Sequence, residues 1–442
     1  MMKRMAMIIM VLALGSRAVS ADDTVSSTDN QTSTAYVLPL PGQVDMILEE
    51  AISKRKSHRI FTEETVTDEE LSTVLWAAYG MRDDGKRTVA AIDDVHAAVM
   101  YILKEDAVYK YNPHQHALEL YKQGDYRVAF KDSAVIYMAP VQIVLCWDTA
   151  RSDLLRTSVE IGAVGQTILL ASVSLGLGTV VTAQSPFSME HIGLPEQEAA
   201  LVMMPLGHLK NSYKFSEQPN RISMLEMVTY SDMSFSTALQ ERNATDSPGG
   251  SLSAQEKSQL IWAAYGFSPL RDKQLNFIYL PRHRTVPSPH YTYDAVIMYV
   301  VMDDGIYKYC AFSNLKIPGQ PVVDYLVKVV EGDKREALAQ ACSRPALAAA
   351  PLSIISIMDV ANIQSSMDNV EKSTPIEQYW PYWYFVAGAS AHNMLLEATA
   401  LQLAGMMTYP DDPAALLSVL GLNDETLQPL LVVSVGSHAG SM

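Results

Sequence analysis

The sequence predicts an α+β protein made of two related domains, each a mainly antiparallel sheet packed with helices around a long buried central helix. Three observations predict it. The phrase "STVLWAAYGM", with Trp76, returns as "SQLIWAAYGF", with Trp262. Later phrases return in the same order: Arg87-Thr88-Val89 as Arg284-Thr285-Val286, and Tyr109-Lys110-Tyr111 as Tyr307-Lys308-Tyr309. A kept order with a small drift in spacing marks one unit duplicated, with loop insertions between fixed elements. Finally, each half carries a short β-rich apolar run, a long apolar stretch of helical length, then a second apolar run.

The chain opens with a basic head, "MMKR", an apolar run, "MAMIIMVLALG", and small residues, "SRAVSA". That order predicts a secretory signal peptide over 1–21, cleaved after Ala21, and hence export to a periplasmic or extracellular location. The apolar run is roughly half of the ~20 residues a bilayer span needs, and no other stretch is expected to span a membrane. Residues 22–45 read as an N-terminal polar segment.

The first domain is expected over 46–240. It begins with the amphipathic stretch "QVDMILEEAI" and contains "APVQIVLCWD", "SVEIGAVGQTILLASVSLGLGTVV" and "ALVMMPLGHLK". The stretch "QERNATDSPGGSLSAQ" is rich in Ser, Pro, Gly and Asn, so 241–253 reads as a linker. The second domain, 254–442, answers with "APLSIISIMDV", "YFVAGASAHNMLLEATALQLAGMMT" and "PLLVVSVGSHAG". In both long stretches apolar residues nearly surround the helix axis, which predicts central, buried helices.

A length of 442 residues suits two cores. The net charge of −16 argues against nucleic acid as the main partner, since phosphate neutralisation needs clustered Lys and Arg. Three cysteines, Cys146, Cys310 and Cys342, cannot all pair internally and show no metal-ligand spacing, so neither a disulfide framework nor a zinc site is expected. Cys146, in "VQIVLCW", reads as a buried small hydrophobe. No HExxH, GxSxG or Walker loop occurs. "GLG" at 176–178 closes a helix instead of opening one, so Gly176 and Gly178 read as helix terminators, not a dinucleotide fingerprint. His114 and His116, in "NPHQH", read as a solvated turn. "SKRKSHRIF" (53–61) supports two readings: basic residues complementing a helix C-terminus, or an anion site in which Arg55, Ser57 and Arg59 alternate along an extended segment and share one side.

Arg-x-Ser-x-Arg-x-Phe, then Trp-Ala-Ala-Tyr-Gly, then Arg-Thr-Val-Pro-Ser, with Tyr-Lys-Tyr, Glu160-x-Gly162-x-x-x-Gln166 and "GLGT", resembles the nitroreductase superfamily. Among its branches the chain is most similar to the SagB-type dehydrogenases, which include azoline-oxidising enzymes of peptide natural products. The resemblance covers nearly the whole mature chain, twice. It implies FMN and a fold whose members are homodimers with each flavin touched by both subunits. This chain would then be such a dimer tied into one polypeptide, an intramolecular pseudo-dimer acting as a monomer. It implies that Arg55, Ser57 and Arg59 grip the phosphate, with Lys210 as a further partner, and that Gln166, Gly178 and Thr179 belong to the same template. Arg284 and backbone amides of 179–185 would stabilise the reduced ring, Pro287 and Ser288 would lie against it, and no side chain need act as a nucleophile.

The two copies differ. The first keeps the clamp, but its ring segment reads Arg-Thr-Val-Ala-Ala (87–91). The second keeps Arg284 to Ser288, yet starts at "SLSAQEKSQL" without a basic clamp, and "AGMMT" stands for "GLGT". Thr167 stands where the family has Asn, and His290 where it has Gly. The expectation is one working composite site and one relic: an exported FMN oxidoreductase acting on a small-molecule or peptide substrate. Because NAD(P)H is a cytoplasmic donor, export favours substrate oxidation. The alternative is an exported, non-catalytic binding protein on a degenerate fold that no longer uses FMN.

Overall fold

The computed structural model describes residues 35–127, 139–183, 191–217, 221–223, 225–226, 228–242, 244–272, 284–287, 296–313, 322–367 and 380–437. The expected signal peptide, Ser288 and His290 lie outside the described residues.

Two seven-stranded paths carry the fold. The strands of the first half are β1 (Ala35–Val37), β2 (Ala98–Leu103), β3 (Ala107–Asn112), β4 (Ala117–Gln123), β5 (Val141–Asp148), β6 (Leu177–Thr179), β7 (Thr182–Ala183) and β8 (Glu198–His208). Then follow β9 (Phe215–Glu217), β10 (Arg221–Ser223), β11 (Leu270–Asp272), β12 (Val296–Met302), β13 (Gly305–Ser313), β14 (Val322–Glu331), β15 (Leu352–Asp359), β16 (Ala404–Thr408) and β17 (Leu427–Gly436). The first sheet runs β1-β4-β3-β2-β5-β8-β6, with β7 also on β8; the second runs β10-β14-β13-β12-β15-β17-β16. From the second position onward the orders match strand for strand. Even the register shifts recur, at Val108/Tyr109 and Ile306/Tyr307, and again at Leu145/Cys146 and Ser356/Ile357. Bulges kink a strand and raise its twist, so two sheets bulged at equivalent places bend alike. The edge strands differ: β1 joins β4 antiparallel, whereas β10 joins β14 parallel. β10 comes from the tail of the first half, so the first half lends the second sheet an edge strand.

The repeated phrase has a local cause. Asp68–Tyr79 and Ala254–Tyr265 are twelve-residue helices, each opened by a capping box, Thr67 with Glu70 and Ser253 with Glu256. Each ends where glycine N–H donates to the tryptophan carbonyl, Gly80 to Trp76 and Gly266 to Trp262, at 2.7 Å. A Cβ on Gly80 would fall 2.4 Å from the Trp76 ring and one on Gly266 2.7 Å from the Trp262 ring. Only glycine fits under the indole there, so Trp-x-x-x-Gly is dictated by contact.

The long apolar stretches form 21-residue helices, Leu154–Ser174 and Trp380–Ala400, packed against each other between the sheets. A Cβ on Gly162 would lie 2.1 Å from the Phe385 carbonyl oxygen, and one on Gly388 1.9 Å from that of Val159. The helices therefore touch backbone to backbone, the same contact made twice. Leu154–Ser174 is, against expectation, long and apolar enough to cross a membrane, but 83% of its most apolar window is buried inside the protein. The first helix ends at Gly176 with φ +75°, as expected of a terminator. Gly178 does not; it sits in β6. His116 also departs from expectation: its ring joins Ser72 Oγ at 2.7 Å and Tyr111 Oη at 2.9 Å, tying the turn to the fold. Cys146 is fully buried, as expected.

Chain exchange between the halves leaves one costly pair. Glu49, in the helix Leu48–Lys54, and Glu397, in the second central helix, are both buried. Glu49 Oε1 accepts from Ser231 N at 3.1 Å, while Glu49 Oε2 and both Glu397 oxygens find no well-formed hydrogen bond among the described residues. Burial, then the neighbouring Glu49, pushes the Glu397 carboxyl well above its ordinary value.

Two predictions follow from this packing. Gly388→Ala should lower stability by about 3 kcal/mol through overpacking, read as a lower urea midpoint. Gly249→Ala, whose Cβ would meet nothing within 4 Å, should stay within about 0.5 kcal/mol; equal shifts would refute the backbone contact. For Glu397 the folded chain holds its proton at pH values where the unfolded chain has released it. Its presence should therefore make stability fall as pH rises above the ordinary carboxyl value of 4.5. Glu397→Gln should flatten that slope and gain on the wild type between pH 5 and pH 8; parallel pH profiles would rule this out.

Candidate functional site

Leu48–Lys54 ends at Arg55, whose φ of −51° and ψ of 125° turn the chain out of the helix. The segment that follows is clipped to the first sheet. His58 N donates to Thr179 O at 2.7 Å, Phe61 bridges Leu209, and Thr62 N donates to His208 O at 2.9 Å. Ser57 is half-buried, and Arg59 and Lys210 are exposed, Lys210 N reaching Ile60 O at 3.4 Å. Alternation along the segment puts Ser57 and Arg59 on one side, in the stretch that the His58 N–H fastens to Thr179 at the end of β6. Gly178 explains how the segment fits: a Cβ there would lie 2.3 Å from Leu209 Cδ2 and 3.0 Å from His58 Cβ. The residue expected to terminate a helix instead allows a close crossing of strands. On the far side, the His58 ring meets Tyr213 edge-on at 4.8 Å, and Tyr213 Oη donates to Leu177 O at 3.1 Å.

Arg55 departs from its neighbours. It is buried, and its Nε and Nη2 donate to the carbonyl oxygen of Arg284 at 3.2 and 3.1 Å. The clamp of the first half is thereby joined to the Arg-Thr-Val-Pro segment of the second. Arg284 is itself buried, with Nη1 on Tyr265 O at 3.0 Å and its guanidinium 4.2 Å from the Tyr265 ring centre and 4.5 Å from that of Phe267. Thr285 N donates to Gly266 O at 2.9 Å. Gln166 Nε2 donates to Thr285 O and to Asn393 Oδ1, both at 2.9 Å, and Asn393 Nδ2 reaches Thr285 O at 3.2 Å and Ala263 O at 3.0 Å. Pro287 is buried at the end of this segment.

Of the ten residues expected to bind the cofactor, these bonds join Arg55, Gln166 and Arg284 into one group, with Pro287 on the same segment as Arg284. Ser57 and Arg59 follow Arg55 along the chain, Gly178 and Thr179 belong to β6 and Lys210 follows β8, the strands that segment is clipped to, and Ser288 lies outside the described residues. Residues 184–190, which take in the end of the 179–185 amide loop, also lie outside them. Gln166 Oε1, Thr179 Oγ1 and Arg284 Nε are buried and find no hydrogen-bond partner among the described residues. Buried polar atoms are otherwise satisfied as a rule, so three unspent ones on these residues fit a polar ligand. Thr167 Oγ1 turns back to Ala163 O at 2.8 Å; the amide that the resemblance places there comes instead from Asn393, on the other central helix. Asn393 was missed, although "SAHN" lies under "VGQT" when Gly388 is set on Gly162.

The pseudo-equivalent position on the opposite side corrects a second expectation. The helix Phe235–Glu241 ends at Arg242, inside the stretch that reads as a linker. Arg242 Nε donates to Thr88 O at 3.3 Å and Nη2 to Arg87 O at 3.2 Å. The second half therefore keeps the first residue of the clamp, followed by Ala244 and Asp246 where the first half has Ser57 and Arg59. The counterpart of "GLGT" is also not "AGMMT". Gly178 pairs with Gly207 as Ala404 pairs with Gly436, and Gln402, with φ +60°, stands for Gly176. His392 replaces Gln166 there; it is fully buried, and burial, then Arg242, pushes its imidazole down to about 3, so it is neutral. Burial, with Arg82 adding to it, pushes Arg242 down to about 10, still charged at neutral pH.

The Nitroreductase family model matches residues 52–208. A protein of Methanocaldococcus jannaschii named as a nitroreductase is 30% identical over 189 residues, 38% of this chain and 95% of that protein. A solved structure from Anabaena variabilis, also described as a nitroreductase, superposes with a TM-score of 0.65 at 14% identity and covers 93% of both chains, a likeness of fold along the whole molecule. A Desulfovibrio desulfuricans protein solved in complex with FMN is 19% identical with a TM-score of 0.30, covering 39% of this chain and 91% of that one. With a relative at this identity matched over nearly its full length, the chain belongs to the nitroreductase family.

Proposed function

We propose that the protein is an FMN-dependent oxidoreductase with one composite site per chain, of the SagB-type branch, its two halves acting as an intramolecular pseudo-dimer. The observation that carries the reading is the Arg55 guanidinium on the Arg284 carbonyl. It joins the half that keeps the clamp to the half that keeps Pro287, and Gln166, bonded to the neighbouring Thr285 carbonyl, and Arg284 each carry a polar atom without a partner among the described residues. Arg59 and Lys210 supply exposed positive charge for a phosphate and Ser57 a hydroxyl; Pro287 supplies an apolar wall. When bound, FMN supplies two-electron redox chemistry at its ring. The chain's own part is to bind, to orient and to exclude water. Arg284, held in an apolar site by two aromatic faces, is placed to stabilise negative charge beside it, because a buried guanidinium interacts more strongly than a solvated one.

Export and oxidation of a small-molecule or peptide substrate complete the proposal; they are supported by residues 1–21 and by the mismatch of an exported enzyme with a cytoplasmic donor. One observation favours the second reading, a binding protein that has given up FMN: Thr167 is spent on its own helix.

The test is the visible spectrum of the purified mature chain with flavin released and counted. The expected result is a flavin spectrum and about one FMN per polypeptide. A count near two would mean that the Arg242 side also binds. A colourless protein that takes up no added FMN would favour the binding-protein reading. Arg59→Ala should weaken FMN binding by roughly 10- to 100-fold, the worth of one charged hydrogen bond, with the fold intact by circular dichroism.

A further inference from the structure

We infer that Arg55 and Arg242 are a matched pair of positioning residues. Each fixes the other half's Arg-Thr-Val turn through backbone carbonyls, and the capacity to hold an anion is set by the residues that follow, Ser57 and Arg59 on one side, Ala244 and Asp246 on the other.

The two arginines occupy the same place in the same device. Each is the C-cap of a seven-residue helix. The helices start face to face: Ile47 bridges Ser234, Leu48 N donates to Met233 O at 3.0 Å, and Phe235 N donates to Met46 O at 2.8 Å. Three residues past each arginine the chain is pinned alike, His58 N to Thr179 O at 2.7 Å and Thr245 N to Gly405 O at 3.2 Å. Each arginine donates through Nε and Nη2 into the opposite half.

The turns they grip are also alike. Met81 bridges Arg87 as Phe267 bridges Arg284, and Thr88 N reaches Gly80 O at 3.1 Å as Thr285 N reaches Gly266 O at 2.9 Å. Arg87 lies 4.6 Å from the Tyr79 ring centre as Arg284 lies 4.2 Å from that of Tyr265. Arg82 Nη1 adds a bond to the Arg242 carbonyl at 2.7 Å, closing that side further.

A phosphate ligand does not account for this pair. At Arg242 the hydroxyl is gone and the second cation has become an acid, so Asp246 would repel a phosphate, yet the arginine and its bonds remain. The common factor is the carbonyl contact. A guanidinium presents its N–H groups as a rigid planar fork, whereas an ammonium is a point charge on a flexible stem. Lysine therefore cannot reproduce the grip, although it would serve a phosphate. The anion half of the inference rests on the FMN reading; the positioning half does not.

The experiment compares Arg55→Lys, Arg242→Lys, Arg242→Ala and Arg59→Asp by thermal unfolding of the flavin-stripped protein and by FMN content after reconstitution. The expected result is a fall of several degrees in Tm for all three variants at Arg55 and Arg242, with Arg242→Lys no better than Arg242→Ala. FMN content should be unchanged for both Arg242 variants and reduced in Arg55→Lys. Arg59→Asp should keep its Tm and lose FMN. Wild-type Tm and FMN content in Arg55→Lys would show a simple positive charge and overturn the inference, as would an unchanged Tm in Arg242→Ala or a loss of FMN in either Arg242 variant. If Arg242→Ala does not accumulate folded, the lysine variants carry the test. Should the wild type take up no FMN, the Tm comparison still decides positioning, and only the FMN reading fails.

Discussion

The structure depends on the contact between the two central helices at Gly162 and Gly388. Main chain meets main chain there, each glycine under a carbonyl of the opposite helix. Helices this close cannot slide, since any side chain at either glycine would strike backbone, and backbone does not repack as a side chain can. That fixed register brings Gln166 of one helix to Asn393 of the other at 2.9 Å. It also sets both amides on the Thr285 carbonyl, so one peptide of the second half is read by both central helices. The candidate site is in this sense a product of the core, not an addition to its surface.

Around that contact the scaffold is nearly symmetric while the chemistry is not. Strand order, bulges, capping boxes, tryptophan carbonyl caps and paired arginines all recur. The differences fall on side chains: Gln166 against His392, Thr167 against Asn393, Arg59 against Asp246, Ala90 and Ala91 against Pro287 and Ser288. Gly176 shows how far the backbone tolerates change. Its left-handed conformation is kept at Gln402, a residue that must accept strain to adopt it. Geometry is thus held against residue preference, while functional groups have been exchanged on one side.

Much of this was legible in the sequence, for physical reasons. Trp-Ala-Ala-Tyr-Gly survives as a string because its glycine lies under its own tryptophan, within one helical turn. The apolar central helices announce themselves because burial on all sides leaves no polar stripe. Arg242 was hidden for the opposite reason. Its partners are the carbonyls of Arg87 and Thr88, which any residues could offer, and it stands in a stretch whose Ser, Pro, Gly and Asn content reads as linker. Gly178 was misread because helix termination and close strand crossing both call for glycine, and only the positions of Leu209 and His58 separate them. Asn393 needed the register of the two helices, which Gly162 and Gly388 fix in space but do not advertise in composition.

Joining the halves in one chain explains how the asymmetry could arise under the reading proposed above. In a homodimer every substitution appears in both sites at once, so a loss in the clamp disables both. In a single chain each site takes its clamp from one half and its ring segment from the other. Losing the clamp chemistry of the second half and the Pro-Ser of the first therefore damages the same position twice and leaves the other complete. What cannot be lost is whatever holds the halves together. Arg242 therefore stays, followed by an Asp246 that would repel an anion, because the carbonyls it holds, those of Arg87 and Thr88, tie its own half to the other. Under that reading, symmetry persists where an interaction serves the fold and disappears where it would serve only a second ligand.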